Sequence, residues 1–289
     1  MSGASPPISA GDAVARTAAV LAAAGVAEAR RDARLIVALA LEVEPGVVLG
    51  YPERLLDPGA EARLEALVAR RQAREPYSRL SGRRPFWTLD LVLSPETLDP
   101  RPDSETLVEV VLAAVPDRGA SLRLLDLGTG TGCLLLALLS ELPNAVGVGV
   151  DILGGATAVA RRNAAAHGLG DRALFVVADW AQAIGVGAAD VVVANPPYIR
   201  SDGIDRLAPE VARHEPRMAL DGGADGLDAY RVLARELPRL VRRGGLAAIE
   251  LGAGQREAVA RLMHAGGLAI EAVRCDLSGV PRVLLMTRQ

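Results

Sequence analysis

Lysine is missing altogether, so all 32 basic residues of this chain are arginine. That bias reads as codon usage in a GC-rich genome and argues against the lysine and glutamate enrichment of hyperthermophiles. Aromatic residues reach only 3%, while half of the chain is apolar, mostly Ala, Leu and Val, which makes the core aliphatic. Cysteine is scarce too: Cys133 and Cys275 stand far apart without metal-ligand spacing, and the three histidines are scattered. A disulfide framework and a zinc site are both excluded on those grounds, no metal is expected, and a reducing cytoplasm fits. No uninterrupted apolar run reaches membrane-spanning length, and Met1 to Pro7 lacks a charged segment leading into an apolar one. Neither a transmembrane helix nor a signal peptide is therefore expected. A broad basic surface is also lacking: the net charge is −3, and the pairs Arg30-Arg31, Arg70-Arg71 and Arg83-Arg84 read as solvated helix faces. Direct nucleic-acid binding is disfavoured.

What is present has two textures. A chain of 289 residues exceeds the usual size of one core, so one large and one small domain are expected. The first third is helical in pattern: Ala13 to Ala24 stops at Gly25, Ala29 to Leu41 follows, and Ala60 to Ala73 comes after the turn Asp57-Pro58-Gly59. This gives a small N-terminal helical domain over residues 1–81. Phe86 to Leu93 is partly alternating, which predicts a β-hairpin linker over 82–102. From 103 to 289 strands and helices alternate, with strands at Leu122 to Leu127, Val146 to Asp151, Leu174 to Ala178, Val191 to Ala194 and Leu246 to Leu251. That rhythm specifies an α/β fold with a parallel sheet covered on both faces. Ala269 to Cys275 and Val283 to Thr287 are expected to add an antiparallel pair.

The richest chemistry lies where an apolar strand ends in Asn195-Pro196-Pro197-Tyr198. Two prolines stiffen the turn and remove backbone donors, which leaves the Asn195 and Pro196 carbonyls free to accept from a ligand. A primary amide or exocyclic amine offers two N–H donors and a lone pair delocalised into a π system. If the Asn195 side-chain oxygen and the Pro196 carbonyl each accept one N–H, the nitrogen lone pair is aimed at an electrophile. Tyr198 would wall the planar group by stacking. The bland alternative is a proline turn after a strand with a half-buried tyrosine.

The electrophile is suggested by the first strand of the sheet, which runs into Asp126-Leu127-Gly128-Thr129-Gly130-Thr131-Gly132 and then a helical segment from Cys133. Alternate glycines let the backbone turn and approach a ligand at a helix amino terminus. About 23 residues beyond Gly128, Asp151 closes the second strand, where an acid binds ribose hydroxyls in Rossmann-type sites. Asp179-Trp180 closes the third strand with an acceptor for an amino group and an indole face for a purine. Each position has a structural alternative, as a helix cap or a core filler.

Asp126 to Gly132 departs from the dinucleotide spacing and resembles the S-adenosylmethionine loop of Rossmann-like methyltransferases. The likeness extends further: Pro100-Arg101-Pro102-Asp103-Ser104-Glu105-Thr106, the glycine loop, Asn195 to Tyr198, Glu215-Pro216, Ala219-Leu220 and Gly222-Gly223 resemble, in that order, the HemK/PrmC family of protein-(glutamine-N5) methyltransferases. Arg74-Glu75-Pro76 and Glu250-Leu251-Gly252 with Gln255 fit the same pattern. The resemblance implies a seven-stranded, mostly parallel sheet and S-adenosylmethionine as cofactor. It also implies transfer of a methyl group to the glutamine of the Gly-Gly-Gln loop of peptide-chain release factors. Carried onto this sequence, Gly128, Thr129, Gly130, Thr131, Gly132, Asp151, Trp180 and Asn195 bind cofactor. Asn195, Pro196, Pro197 and Tyr198 hold the substrate amide, with Asn195, Pro196 and Tyr198 catalytic. Asp179 is a lesser candidate, and Arg101 and Glu105 are expected to brace the linker. Asp99 and Pro85 depart from the family pattern and put local linker contacts in question. A cytoplasmic monomer acting on a protein substrate is expected. Competing readings are a ribosomal-protein glutamine methyltransferase, a nucleic-acid adenine-N6 methyltransferase and a non-catalytic cofactor-binding scaffold. The residues Pro102-Asp103-Ser104-Glu105, in place of Ser-Pro after the Pro-Arg, favour the release-factor enzyme over the ribosomal one.

Overall fold

The computed structural model describes residues 7–289. The first six, to which the expectations about a leader segment and a domain start at residue 1 refer, lie outside the described residues. The chain forms two compact units, one of residues up to Gly82 together with Pro209–His214, the other of Arg83–Ala208 with Glu215–Gln289. Among the described residues no helix is long and apolar enough to cross a membrane.

The smaller unit is helical, with α1 (Ala10–Ala23), α2 (Ala29–Leu41), α3 (Pro45–Gly50), α4 (Pro58–Gln72) and α5 (Tyr77–Ser81). Two helix starts are capped by side chains: the Ser9 hydroxyl accepts from Asp12 N and the Asp57 carboxylate from Ala60 N, with Pro58 at the first helical position. Leu21, Ile36, Val37 and Leu56 make the aliphatic core. Beside it Arg71, buried, donates to Asp32 at 2.7 Å and to Glu210 at 3.1 Å, and Arg74 grips both Glu210 oxygens at 2.7 and 2.8 Å. These bonds explain why a segment so late in the sequence groups with the first helices.

The larger unit opens with a hairpin of β1 (Arg83–Phe86) and β2 (Leu89–Val92). Trp87 at its turn has φ +56°, held by donation from its backbone N–H to Glu105 and from its indole N–H to Glu141. Then follow α6 (Glu105–Ala114), β3 (Arg123–Leu127), α7 (Cys133–Glu141), β4 (Val146–Asp151), α8 (Gly154–Ala166), β5 (Ala173–Val177) and β6 (Ala189–Ala194). The short α9 (Pro209–Ala212) precedes α10 (Asp228–Leu240), β7 (Val241–Glu250), α11 (Arg256–Ala265), β8 (Ala269–Cys275) and β9 (Pro281–Thr287). The seven-stranded sheet has the order β5-β4-β3-β6-β7-β9-β8, and β9 runs antiparallel to both its neighbours. The fold is the expected α/β one, with the expected antiparallel pair at its end.

Strand β6 shows why its sequence is a continuous apolar run. Alternate residues point to opposite faces, so Val191 and Val193 enter one core cluster while Val192 and Ala194 enter the other. The first cluster is closed by α6, α7 and the hairpin, the second by α10 and α11. Helix α10 buries Tyr230, Leu233, Leu237 and Leu240 at helical spacing.

Candidate active site

Sheet order places the site. The chain steps outward from β3 to β4 to β5, then crosses back to lay β6 on the other side of β3. The order reverses between β3 and β6, the position at which open α/β sheets bind ligands. Register aligns the strand ends there: Leu127 lies opposite both Val150 and Ala194, and Ala194 opposite Ile249. Gly128, Asp151, Asn195 and Glu250 therefore emerge at neighbouring points along one edge.

A cavity of about 370 Å³ opens above them, lined by Gly128 to Thr131, Asp151, Asp179, Trp180, Asn195 and Pro197. The loop after β3 is pinned by donation from Gly128 N and Thr129 N to the Val150 carbonyl, both at 2.9 Å. Gly128 and Gly130 have φ of +75° and +54°, and no heavy atom lies within 4 Å of where their Cβ atoms would stand. Their missing side chains leave room for a ligand to touch backbone. Gly132 has another use: it does not line the cavity, and a Cβ there would sit 3.2 Å from Ala160 and Leu136, so it lets α7 and α8 pack closely.

Asp126 is buried and likewise absent from the lining; it accepts from the Thr129 hydroxyl at 2.7 Å and so shapes the loop from beneath. Burial pushes its carboxyl up to about 7. Asp151 accepts from Gly130 N at 2.9 Å and Leu153 N at 3.0 Å, which locks its carboxylate at the cavity wall. Burial raises its pKa against those bonds. Trp180, with φ +50°, presents a half-buried indole beside the exposed Asp179.

The tetrapeptide is divided by the structure. Asn195 and Pro197 line the cavity, whereas Pro196 is buried and Tyr198 stands outside the lining. Tyr198 packs with the second core cluster and donates its hydroxyl to Glu250 at 3.1 Å, while its carbonyl accepts from Gln255 at 3.0 Å. Its phenol pKa is raised, by burial first and then by the Glu250 charge. The tyrosine is thus a post for the turn, placed behind the cavity where stacking on a ligand was expected. Asn195 donates its side-chain N–H to the Ser104 hydroxyl at 3.1 Å.

Around this edge, Arg101 and Glu105 brace the segment after the hairpin: Arg101 donates to Glu215 at 2.9 Å and Glu105 accepts from Trp87. Asp99 is used locally, its N–H donating to Glu215 at 3.1 Å and its carboxylate standing 3.3 Å from Arg84. Pro85 faces Asp90 across the hairpin.

Known proteins resemble this chain in sequence and in fold. The model of the PrmC N-terminal domain matches residues 12–82, and that of the methyltransferase small domain residues 84–223. The release factor glutamine methyltransferase of Rhodospirillum rubrum is 55% identical over 217 residues, 75% of this chain and 66% of that protein. That of Agrobacterium fabrum is 45% identical over 219 residues, covering 75% of each chain. The chain belongs to the release factor glutamine methyltransferase family. It is a methyltransferase of that class. A solved methyltransferase from Pyrococcus furiosus superposes with a TM-score of 0.52 over 78% of this chain and 97% of that one, at 14% identity, a likeness of fold alone.

Two residues that this methyltransferase brings to the edge had no role assigned from sequence, Ser104 and Glu250. Glu250 closes β7 as Asp151 closes β4, so the rule that polar residues at strand ends serve the site could have found it. Ser104 lies in the Pro100 to Thr106 motif, but its partner could not be read there, since only the fold carries it 91 residues along the chain to Asn195. The stretch 216–221 also forms a wall, with Pro216, Met218 and Asp221 on the cavity. It is tied to the tetrapeptide's end by a parallel bridge between Ile199 and Asp221.

Proposed function

We propose that this chain transfers a methyl group from S-adenosylmethionine to the side-chain N5 of the glutamine in the Gly-Gly-Gln loop of peptide-chain release factors. The observation that carries the reading is the position of Asn195, on the same cavity wall system as the glycine loop, Asp151 and Trp180.

The open glycine cradle, the anchored carboxylate and the half-buried indole fit the three parts of the cofactor. In this reading Gly128 to Thr131 meet its amino-acid end, Asp151 accepts from the ribose hydroxyls and Trp180 stacks on the adenine. When bound, S-adenosylmethionine supplies an electrophilic sulfonium methyl, whose bond electrons return to sulfur as the amide nitrogen bonds the carbon. Asn195 Oδ1 accepts one N–H of the substrate amide. The Pro196 carbonyl, in the peptide that joins Pro196 to the cavity-lining Pro197, accepts the other. Pro197 closes the turn so that these acceptors stay fixed. The amide nitrogen becomes acidic only as its new bond forms, so its proton leaves late, to water, and no strong general base is needed. Positioning then supplies most of the rate, up to about 7–11 kcal/mol in favourable cases.

Asn195→Ala is expected to keep most of its cofactor affinity, read by calorimetry, because the glycine loop, Asp151 and Trp180 remain, while methyl transfer to release factor falls by about 100-fold or more. A variant that binds cofactor and methylates at the wild-type rate would remove Asn195 from the mechanism.

A further inference from the structure

The methyl-transfer reading leaves one buried chain of groups unused. Glu250 is 1% exposed and ends β7 directly beside the strand that carries Asn195. One of its oxygens accepts from the Ser104 hydroxyl at 2.5 Å, and the other from the Tyr198 hydroxyl at 3.1 Å. Ser104, itself buried, has one proton, and that proton points to Glu250; its lone pair is what the Asn195 side-chain N–H meets at 3.1 Å. A carboxylate at the head of this chain fixes the direction of every bond in it. Asn195 must turn its nitrogen toward Ser104, and the oxygen of the amide is then the end left for the cavity. Without Ser104 the two ends of the amide differ little in shape, and a rotated Asn195 would offer a donor where the substrate N–H needs an acceptor.

We propose that Glu250 and Ser104 are positioning residues that set the orientation of the Asn195 amide, with Glu250 fixing Tyr198 through its second oxygen so that both ends of the Asn-Pro-Pro-Tyr turn hang from one buried carboxylate. The placement rests on the reading of Asn195 as the acceptor of the substrate amide. The surroundings suit the task. The Glu250 backbone carbonyl accepts from Tyr230 at 2.9 Å, which anchors the strand end, and Gly252 N donates to the same hydroxyl at 3.2 Å. Burial raises the Glu250 pKa while donation from Ser104 and Tyr198 and the nearby Arg282 oppose the rise.

The test is a double-mutant cycle in the full chain, with Ser104→Ala and Asn195→Ala singly and together, and Ser104→Thr as the conservative variant. Cofactor dissociation constants and kcat on release factor are read for each. Ser104→Ala is expected to keep cofactor affinity and to lose about 10- to 100-fold in kcat. Ser104→Thr, which keeps the hydroxyl, should restore most of that loss. In the Asn195→Ala background, removing Ser104 should cost little more, because the group it orients is gone. Equal losses in both backgrounds, failure of threonine to rescue, or an Ser104→Ala chain that no longer binds cofactor would each overturn the positioning role. If the wild-type chain itself leaves release-factor glutamine unmethylated, it is the functional reading that falls.

Discussion

Glu210 shows how much a single carboxylate can hold. Burial alone would push its pKa up, but hydrogen bonds from Arg74 and Arg71 overcome that and hold it at about 2. A folded-state pKa below the unfolded value means stability that is present above the ordinary carboxylate range and drains away as pH falls toward 2. The shift corresponds to at most about 3 kcal/mol, reduced by solvent screening at this partly exposed site. Glu210→Gln should therefore unfold at lower urea concentration than wild type at pH 7, and the gap should narrow as pH drops from about 5 to about 2. A gap that is constant with pH would show that the arginines do not draw on the charge. At the active site the same logic runs the other way. Asp126 and Glu250 are buried with raised pKa values, because burial there outweighs the hydrogen bonds they accept, whereas at Glu210 the arginines outweigh burial.

Among the elements, β3, β4, β6 and β7 act through their carboxyl ends, and the return segment after β6 acts through its backbone. Gly222 leaves no room in that segment: a Cβ would lie 2.9 Å from the Pro197 carbonyl, the Tyr198 Cα and the Gly226 carbonyl. All three are backbone atoms, which cannot swing aside. Gly222→Ala should displace the Pro197-Tyr198 peptide, cost about 1–3 kcal/mol in chemical denaturation and depress kcat more than cofactor affinity. Unchanged stability and turnover would mean that the turn has slack which the contacts do not suggest. The strands were legible in the sequence because buried parallel strands are unbroken apolar runs; β4 and β8 match their expected limits, and the other expected strands fall within a few residues. Strand β7 begins earlier than expected, at Val241, because Val241 pairs with Ala189 across a register shift, a tertiary contact that outweighs the turn-like Arg243-Gly244-Gly245. The six-residue helix α3 went unread for a related reason. Pro45-Gly46-Val47-Val48-Leu49-Gly50 has poor helix propensity and is ordered by burial of Val48.

For the whole molecule, the glycine loop, the acid after β4 and the proline turn were readable from sequence because each is local, a few residues at a strand end. The links between them were not. Ser104 reaches Glu250 across 146 residues, and Glu210 reaches Arg74 across 136. Such contacts exist only once strand order and register are set, so no spacing in the chain announces them. Strand order also builds the site, because it brings the β3 loop and the β6 turn to one switch point, where both line a single cavity. The acidic balance, with a net charge of −3, suits a protein substrate better than a polyanionic one.

The most direct measurement is the site of the transferred methyl group. The purified chain is incubated with methyl-labelled S-adenosylmethionine and, in separate reactions, with release factor, ribosomal protein and DNA, and the labelled residue is mapped by mass spectrometry. One methyl group on the side-chain nitrogen of the Gly-Gly-Gln glutamine is expected, absent when Asn195→Ala replaces the wild-type chain. Label on another residue of the release factor, or on ribosomal protein or DNA in its place, would contradict it.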